Sequence, residues 1–189
     1  MPWYRIEGKI QTPLSDEDFQ TGMENGEFID PNHRGYCVLL FYSAVRKCEA
    51  LRAVRNQFQV TNTAIMFEVG DRLKHSKHTP ALKIPLDAPY ASELKEAIER
   101  TPQSERVFPY CAKTGYNIVR RAFKYPHLFR LSRITNFFLE GWTIAQIRSW
   151  TGLTLTALEY YVGLVDIIKM GDSLAKKSNT IQKISALLT

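Results

Sequence analysis

The sequence predicts a mainly α-helical fold with a small antiparallel β-hairpin or sheet. Three observations predict it. Apolar residues recur at helical spacing along most of the chain, one stretch around residues 60–86 is rich in β-branched residues, and capping residues and glycines punctuate the last third. Taken in order, Pro13-Leu14-Ser15-Asp16-Glu17-Asp18 opens a first helix, with Ser15 as the cap and Asp18 at the capping-box position. From Gly35 to Val54 the apolar residues Cys37, Leu40, Phe41, Val45, Leu51 and Val54 keep helical spacing but are interrupted near Ser43-Ala44-Val45. Two helices meeting at a bend are expected there. Val60, Ile65, Phe67 and Val69 then lead through a polar stretch to Ala81-Leu82-Lys83-Ile84-Pro85-Leu86, the pattern of a long β-hairpin. Beyond Ala91 the pattern is helical again, with Leu94 and Ile98 on one face. Thr143-Ile144-Ala145-Gln146 and Thr156-Ala157-Leu158-Glu159 read as capping boxes, and Gly141 and Gly152 sit where helices end in a left-handed residue. Helices are therefore expected over about 127–140, 144–151 and 157–170.

A chain of 189 residues supports one well-buried core with short extensions at each end. No apolar run approaches bilayer length, and the opening Met1-Pro2-Trp3, followed by Glu7, has no signal-peptide core. A cytoplasmic, membrane-free location is expected. Cys37, Cys48 and Cys111 are widely spaced, odd in number and without a Cys-x-x-Cys pair, which argues against a disulfide framework and against a zinc site.

The net charge of +6 favours a polyanionic partner, and its distribution says more. Residues 1–30 hold seven acids against two bases, whereas residues 105–148 hold eight bases against two acids. The bases Arg120, Arg121, Lys124 and Arg133 alternate there with aromatics such as Tyr116, Phe123, Tyr125 and Phe129, as on a surface that meets a phosphate backbone. These four bases are the candidate DNA contacts.

Cleaving a phosphodiester without a metal requires a nucleophile, cations for the charge building on the phosphoryl oxygens, and an acid for the leaving oxygen. His127 and Arg130, three apart near a helix start, share a face and can approach one phosphate together. Arginine suits the task because its planar fork gives two hydrogen bonds.

Further residues fall in a specific order around that pair. Ser43-Ala44-Val45-Arg46-Lys47-Cys48-Glu49-Ala50-Leu51 resembles the first conserved box of the tyrosine recombinases, or phage integrases, where a turn delivers an arginine and a glutamate follows three residues on. A hairpin with basic residues comes next, then His-x-x-Arg. Gly141 lies eleven residues after Arg130, Gly152 eleven after Gly141, and a tyrosine follows on the next helix. The resemblance spans about residues 12–165 and rests on the ordered set; an archaeal or viral-type integrase is one version of it.

That resemblance implies the tyrosine-recombinase catalytic-domain fold over residues 11–165, an N-terminal extension over 1–10 and a C-terminal helical tail over 166–189 that packs on a neighbouring protomer. It implies that Arg46 and Arg130 clamp the scissile phosphate, that Glu49 supports them, and that His127 assists proton transfer. Lys74 or Lys77 would protonate the departing 5′ oxygen, with Lys74 favoured. Tyr161 or Tyr160 would be the nucleophile, with Tyr161 favoured on the reading that Thr156 caps the helix. The implied reaction is DNA integration or recombination through a 3′-phosphotyrosyl intermediate, as for a mobile element or provirus. It takes double-stranded DNA as substrate in a dimer or tetramer, with no metal, ATP or organic cofactor.

Two departures stand out. Where the family usually has a phosphate-bonding histidine or tryptophan after the second glycine, this chain has Leu153, for which Trp150 or His75 could compensate. The core-binding domain that most relatives carry at the N-terminus is not expected within this sequence, where only about ten residues precede the first helix; a catalytic fragment of a longer integrase and a natural single-domain version both fit. A rival reading takes Gly141 to Val162 as a helix-turn-helix with Ile147, Leu153 and Leu158 in its apolar positions. The protein would then be a DNA-binding regulator without catalysis; an inactive recombinase-like DNA binder is the third alternative.

Overall fold

The structure is a computed structural model that describes residues 12–69, 81–166 and 168–169, with the backbone of two short strands near the start. Those strands, β1 (Arg5–Ile6) and β2 (Lys9–Ile10), pair antiparallel. Helix α1 (Asp16–Asn25) begins at the predicted capping box: the Ser15 hydroxyl accepts from the Asp18 N–H at 3.0 Å, and the Asp18 carboxylate accepts from the Ser15 N–H at 2.9 Å. Its buried face carries Phe19, which stacks on Phe41 at 4.1 Å and meets Phe123 and Phe129.

Helix α2 (Pro31–Ser43) is capped by Asp30, starts on a proline whose missing N–H costs nothing at that position, and is buried from Gly35 to its end. It is the central helix of the core. A Cβ at Gly35 would lie 3.1 Å from the backbone of Glu93 and Leu94, so glycine is what lets α2 lie against α4 (Ala91–Arg100). The predicted bend is present: α2 stops at Ala44, and α3 (Lys47–Arg52) starts three residues later.

The β-rich stretch differs from the expected simple hairpin. It forms three antiparallel strands, β3 (Phe58–Val60), β4 (Ala64–Phe67) and β5 (Leu82–Pro85), with Phe58 opposite Phe67 and Ile65 opposite Ile84. What read as one strand from Val60 turns at Thr61, whose hydroxyl accepts from the Ala64 N–H at 3.1 Å. Threonine fits both a strand and such a turn, so its β-branching concealed the break. The tip between β4 and β5, with Lys74, His75 and Lys77, lies outside the described residues.

Four helices complete the fold: α5 (Ala112–Arg120), α6 (Pro126–Leu139), α7 (Ile144–Thr151) and α8 (155–166). Gly141 (φ 87°) and Gly152 (φ 64°) are left-handed as expected, and Thr143 and Gln146 form the expected box. The cap of α8 is a correction. Thr154, not Thr156, fills it, its hydroxyl accepting from the Ala157 N–H at 3.3 Å and its carbonyl from the Leu158 N–H at 3.1 Å.

Two apolar clusters result. One gathers α1 to α5 and the sheet, and the other gathers the buried faces of α6, α7 and α8 around Leu131, Ile134, Phe137, Ile147 and Leu158. Leu14 and Trp150 pack against both. The seam between them is where α2 ends and α6 begins. All three cysteines are free thiols, and no helix among the described residues is long and apolar enough to cross a membrane.

Candidate active site

The site is built at the left-handed turn that ends α2. Ala44 holds φ 55° and ψ 22°, a conformation that costs a residue with a Cβ roughly 1–2 kcal/mol. The surrounding packing must therefore impose it. The turn redirects the chain so that Arg46 becomes the residue that starts α3. Glu49 anchors it twice: one carboxylate oxygen accepts from the Arg46 N–H at 2.6 Å, the other from the Arg46 guanidinium at 2.9 Å. The glutamate side chain is 7% exposed and the arginine 41%, so a buried carboxylate aims an accessible cation.

Arg130 approaches from the other cluster. It lies one turn into α6, is 2% exposed, and donates from Nη1 to the Ala44 carbonyl and from Nη2 to the Thr151 carbonyl at 3.0 Å. One guanidinium thus ties the C-terminal ends of α2 and α7 to α6. Both acceptors belong to helix termini, whose carbonyls lack intrahelical partners and carry partial negative charge. Trp150 adds a parallel tie, its indole N–H donating to the Ser43 carbonyl at 3.2 Å.

A pocket of about 500 Å3 opens beside these arginines. Arg46, His127, Arg130 and Tyr161 all line it, brought from α3, α6 and α8. Leu153 lines it too, from the turn between α7 and α8. Tyr160 is not on its wall; that ring packs in the α6–α8 cluster, edge-on to Tyr161 at 5.5 Å between centroids.

The electrostatics are those of a cationic cavity whose histidine and tyrosine are largely buried. Burial, with Arg130 and Arg46 nearby, lowers the His127 pKa from 6.5 to about 3, which keeps the imidazole neutral at pH 7. Burial raises the Tyr161 pKa and the same two arginines offset part of the rise, so the group is a protonated phenol at neutral pH with two cations nearby. α6 also presents its N-terminal, positive end here. Such a cavity offers an anion two guanidinium groups, a neutral imidazole and a phenol.

Sequence reasoning missed six wall residues, among them Val45 and Pro126, which directly precede Arg46 and His127. Lys47 and Cys48 follow Arg46 directly, and Tyr125 precedes Pro126-His127, so proximity to the motifs was the available signal. Tyr116 of α5, over which the Lys47 ammonium sits at 5.7 Å, was visible only as one aromatic among the basic residues. Of the candidate DNA contacts, Arg120 and Lys124 are exposed. Arg121 donates to the Glu27 carbonyl at 2.9 Å and, with Lys124, lines a larger hollow of about 670 Å3 against α1. Among the described residues that line that hollow there is no histidine, cysteine or tyrosine. Arg133 is tied into the fold: its side chain is 16% exposed, paired with Glu140 at 3.0 Å and Asp16 at 4.0 Å, and stacked on Phe137 at 4.6 Å. Among the described residues no cluster of three or more His, Cys, Asp or Glu side chains is placed to hold a metal ion.

No known family model matches the sequence, and no curated protein matches it. Solved structures do match by shape. The XerH site-specific recombinase in its post-cleavage complex with palindromic difH superposes over 89% of this chain and 54% of that one, with a TM-score of 0.64 and 17% identity. XerA recombinase matches over 83% and 62%, at a TM-score of 0.60 and 16% identity. The Tn1549 transposon integrase bound to circular-intermediate DNA matches over 82% and 62%, at 0.57 and 15%. The chain spans about half to three fifths of the length of these proteins. Mostly helical, with one small three-stranded antiparallel sheet among the described residues, the chain has the catalytic-domain fold of the tyrosine recombinases.

Proposed function

We propose that the chain is a DNA strand-transfer enzyme that cleaves and rejoins double-stranded DNA through Tyr161. The observation that carries the reading is the shared pocket: two arginines, a histidine and a tyrosine, distant in sequence, line one cavity. In the proposed first step the Tyr161 oxygen attacks the scissile phosphorus, forming a 3′-phosphotyrosyl bond as the bond to the 5′ oxygen breaks. His127 assists proton transfer from the phenol, Arg46 and Arg130 neutralise the phosphoryl oxygens, and Lys74 or Lys77 protonates the 5′ oxygen. Attack by a second 5′ hydroxyl reverses the chemistry on a new partner strand. Bond energy is conserved in the link, so the scheme uses neither ATP nor a metal.

Arg120, Arg121 and Lys124 are the proposed backbone contacts, and residues 11–165 the proposed catalytic unit. Assembly as a dimer or tetramer on DNA, with residues 166–189 packing on a neighbour, and a role in a mobile element or provirus, belong to the same reading. The DNA-bound recombinases and integrase of similar fold support it.

A second reading, DNA binding without catalysis, is favoured by Leu153, an apolar side chain on the wall where a phosphate donor would serve. A nicked suicide substrate separates the two. The expected result is a covalent protein–DNA adduct in the wild type and in Tyr160→Phe, and none in Tyr161→Phe. Tight binding with no adduct from any form would favour the binding protein.

A further inference from the structure

Arg46 and Lys47 are consecutive, yet their charges are held differently and directed to different places. The Arg46 guanidinium turns back on the Glu49 carboxylate at 2.9 Å, an ion pair that offsets its charge. The Lys47 ammonium reaches the other way, to the first turn of α5, where it donates to the Ala112 carbonyl at 3.2 Å and lies 5.7 Å from the centre of the Tyr116 ring. Both partners are neutral, and Lys47 pairs with no carboxylate among the described residues. Its charge is therefore not offset. It is also accessible: the bond to Ala112 is exposed to solvent, and Lys47 and the Tyr116 beneath its ammonium both line the pocket of about 500 Å3. An ammonium has three N–H donors, and one carbonyl and one ring face leave a donor for a ligand. Packing alone does not account for the placement, because the first turn of a helix is its positive end, where a cation is disfavoured and an anion is stabilised.

Resting on the strand-transfer reading above, we infer that Lys47 is a substrate-binding residue whose ammonium holds the phosphate next to the scissile one on the cleaved strand. A cavity of this volume takes a ligand larger than one phosphate group. Consecutive side chains at a helix start do not face each other, so Lys47 addresses a different group from the one that Arg46 and Arg130 clamp. Backbone contacts of this kind carry no sequence information but set register. Lys47 thereby fixes which phosphodiester stands before Tyr161, from the α5 side of the pocket.

The test is Lys47→Met, which keeps an apolar stem and removes the charge, with Lys47→Arg as the charge-retaining control. On a duplex of arbitrary sequence, Lys47→Met should reduce the slope of log K against log salt by about 1, and Lys47→Arg should keep the wild-type slope. Tm should be unchanged in both, because the bond lost is exposed to solvent. On the suicide substrate, a neutral methylphosphonate placed in turn at the scissile phosphate and at each neighbour locates the contact. At one neighbouring position it should slow adduct formation by the wild type and slow Lys47→Met no further, whereas at the scissile position the two effects should multiply. A slope unchanged by Lys47→Met, effects that multiply at every position, or a loss of independence at the scissile position itself overturns the assignment and leaves the strand-transfer reading standing. A fall in Tm with an unchanged slope overturns it too, making Lys47 a brace between α3 and α5. A wild type that forms no adduct overturns both readings.

Discussion

Arg130 is a cation almost wholly withdrawn from water, and such a charge is tolerated only where fixed dipoles replace its hydration. The Ala44 and Thr151 carbonyls are those dipoles. Arg130→Ala therefore strips partners from two buried carbonyls as well as removing a phosphate ligand. It should lower stability by on the order of 3 kcal/mol in urea unfolding and abolish the adduct while much of the DNA affinity remains. An unfolding midpoint equal to wild type would mean that the two bonds carry no net stability. His127 gives a pH signature. Its folded pKa, about 3, lies below the unfolded value near 6.5, so the unfolded chain takes up the proton first as pH falls. The associated stability is intact above pH 6.5 and declines between 6.5 and 3, by about 1.4 kcal/mol per pH unit at most. His33, lowered more modestly by burial, adds to the same window. Subtracting the pH profile of His127→Asn from that of wild type isolates the His127 contribution, and parallel profiles would show that the imidazole is not desolvated.

At the scale of elements, two threonines two residues apart are the possible caps at the start of α8, the helix that carries Tyr161. Thr154→Ala should cost about 1 kcal/mol, because its hydroxyl accepts from the Ala157 N–H. Thr156→Ala, exposed within the helix, should fall within about 0.5 kcal/mol of wild type. Equal costs in chemical denaturation would move the cap back to Thr156. The same helix shows what the sequence made legible. Thr156-Ala157-Leu158-Glu159 has the form of a capping box, and so does Thr143-Ile144-Ala145-Gln146, but only the second is one. The difference is the short turn after Gly152, whose length a local motif does not encode. Tyr161 faces the pocket nonetheless, because Leu158, Tyr161 and Leu164 share the buried side of α8 whichever threonine caps it. The bend at Ser43-Ala44-Val45 was readable because an apolar helical pattern breaks there, whereas the left-handed Ala44 was not, since alanine carries no signal for positive φ. The turn at Thr61 was hidden in the same way by a residue that suits a strand. Tyr125 and Tyr116 came into the site through tertiary packing alone.

At the scale of the whole molecule, charge is segregated, with the acids of the first thirty residues set against the bases of residues 105–148. Part of that opposition is resolved inside the fold: Arg133 pairs with Asp16 across the α1–α6 contact, and Arg121 bonds the Glu27 carbonyl. The net charge of +6 already counts each such ion pair as neutral and does not say how many cations reach DNA, a number that salt dependence supplies. Each phosphate contact contributes a slope of about −0.9 in log K against log salt. Arg120→Ala and Lys124→Ala, both at exposed positions, should each reduce the slope by about 1. Arg133→Ala should leave the slope unchanged and lower Tm instead, because its guanidinium is committed to Asp16, Glu140 and the Phe137 ring. Measured by titration on a duplex lacking any target site, a slope flattened equally by Arg133→Ala and by Arg120→Ala would place the α1–α6 face on the DNA. That face carries Asp16, Glu17 and Glu140 beside Arg133, so contact there would bring carboxylates against the phosphate backbone, and the repulsion would itself weaken binding at low salt.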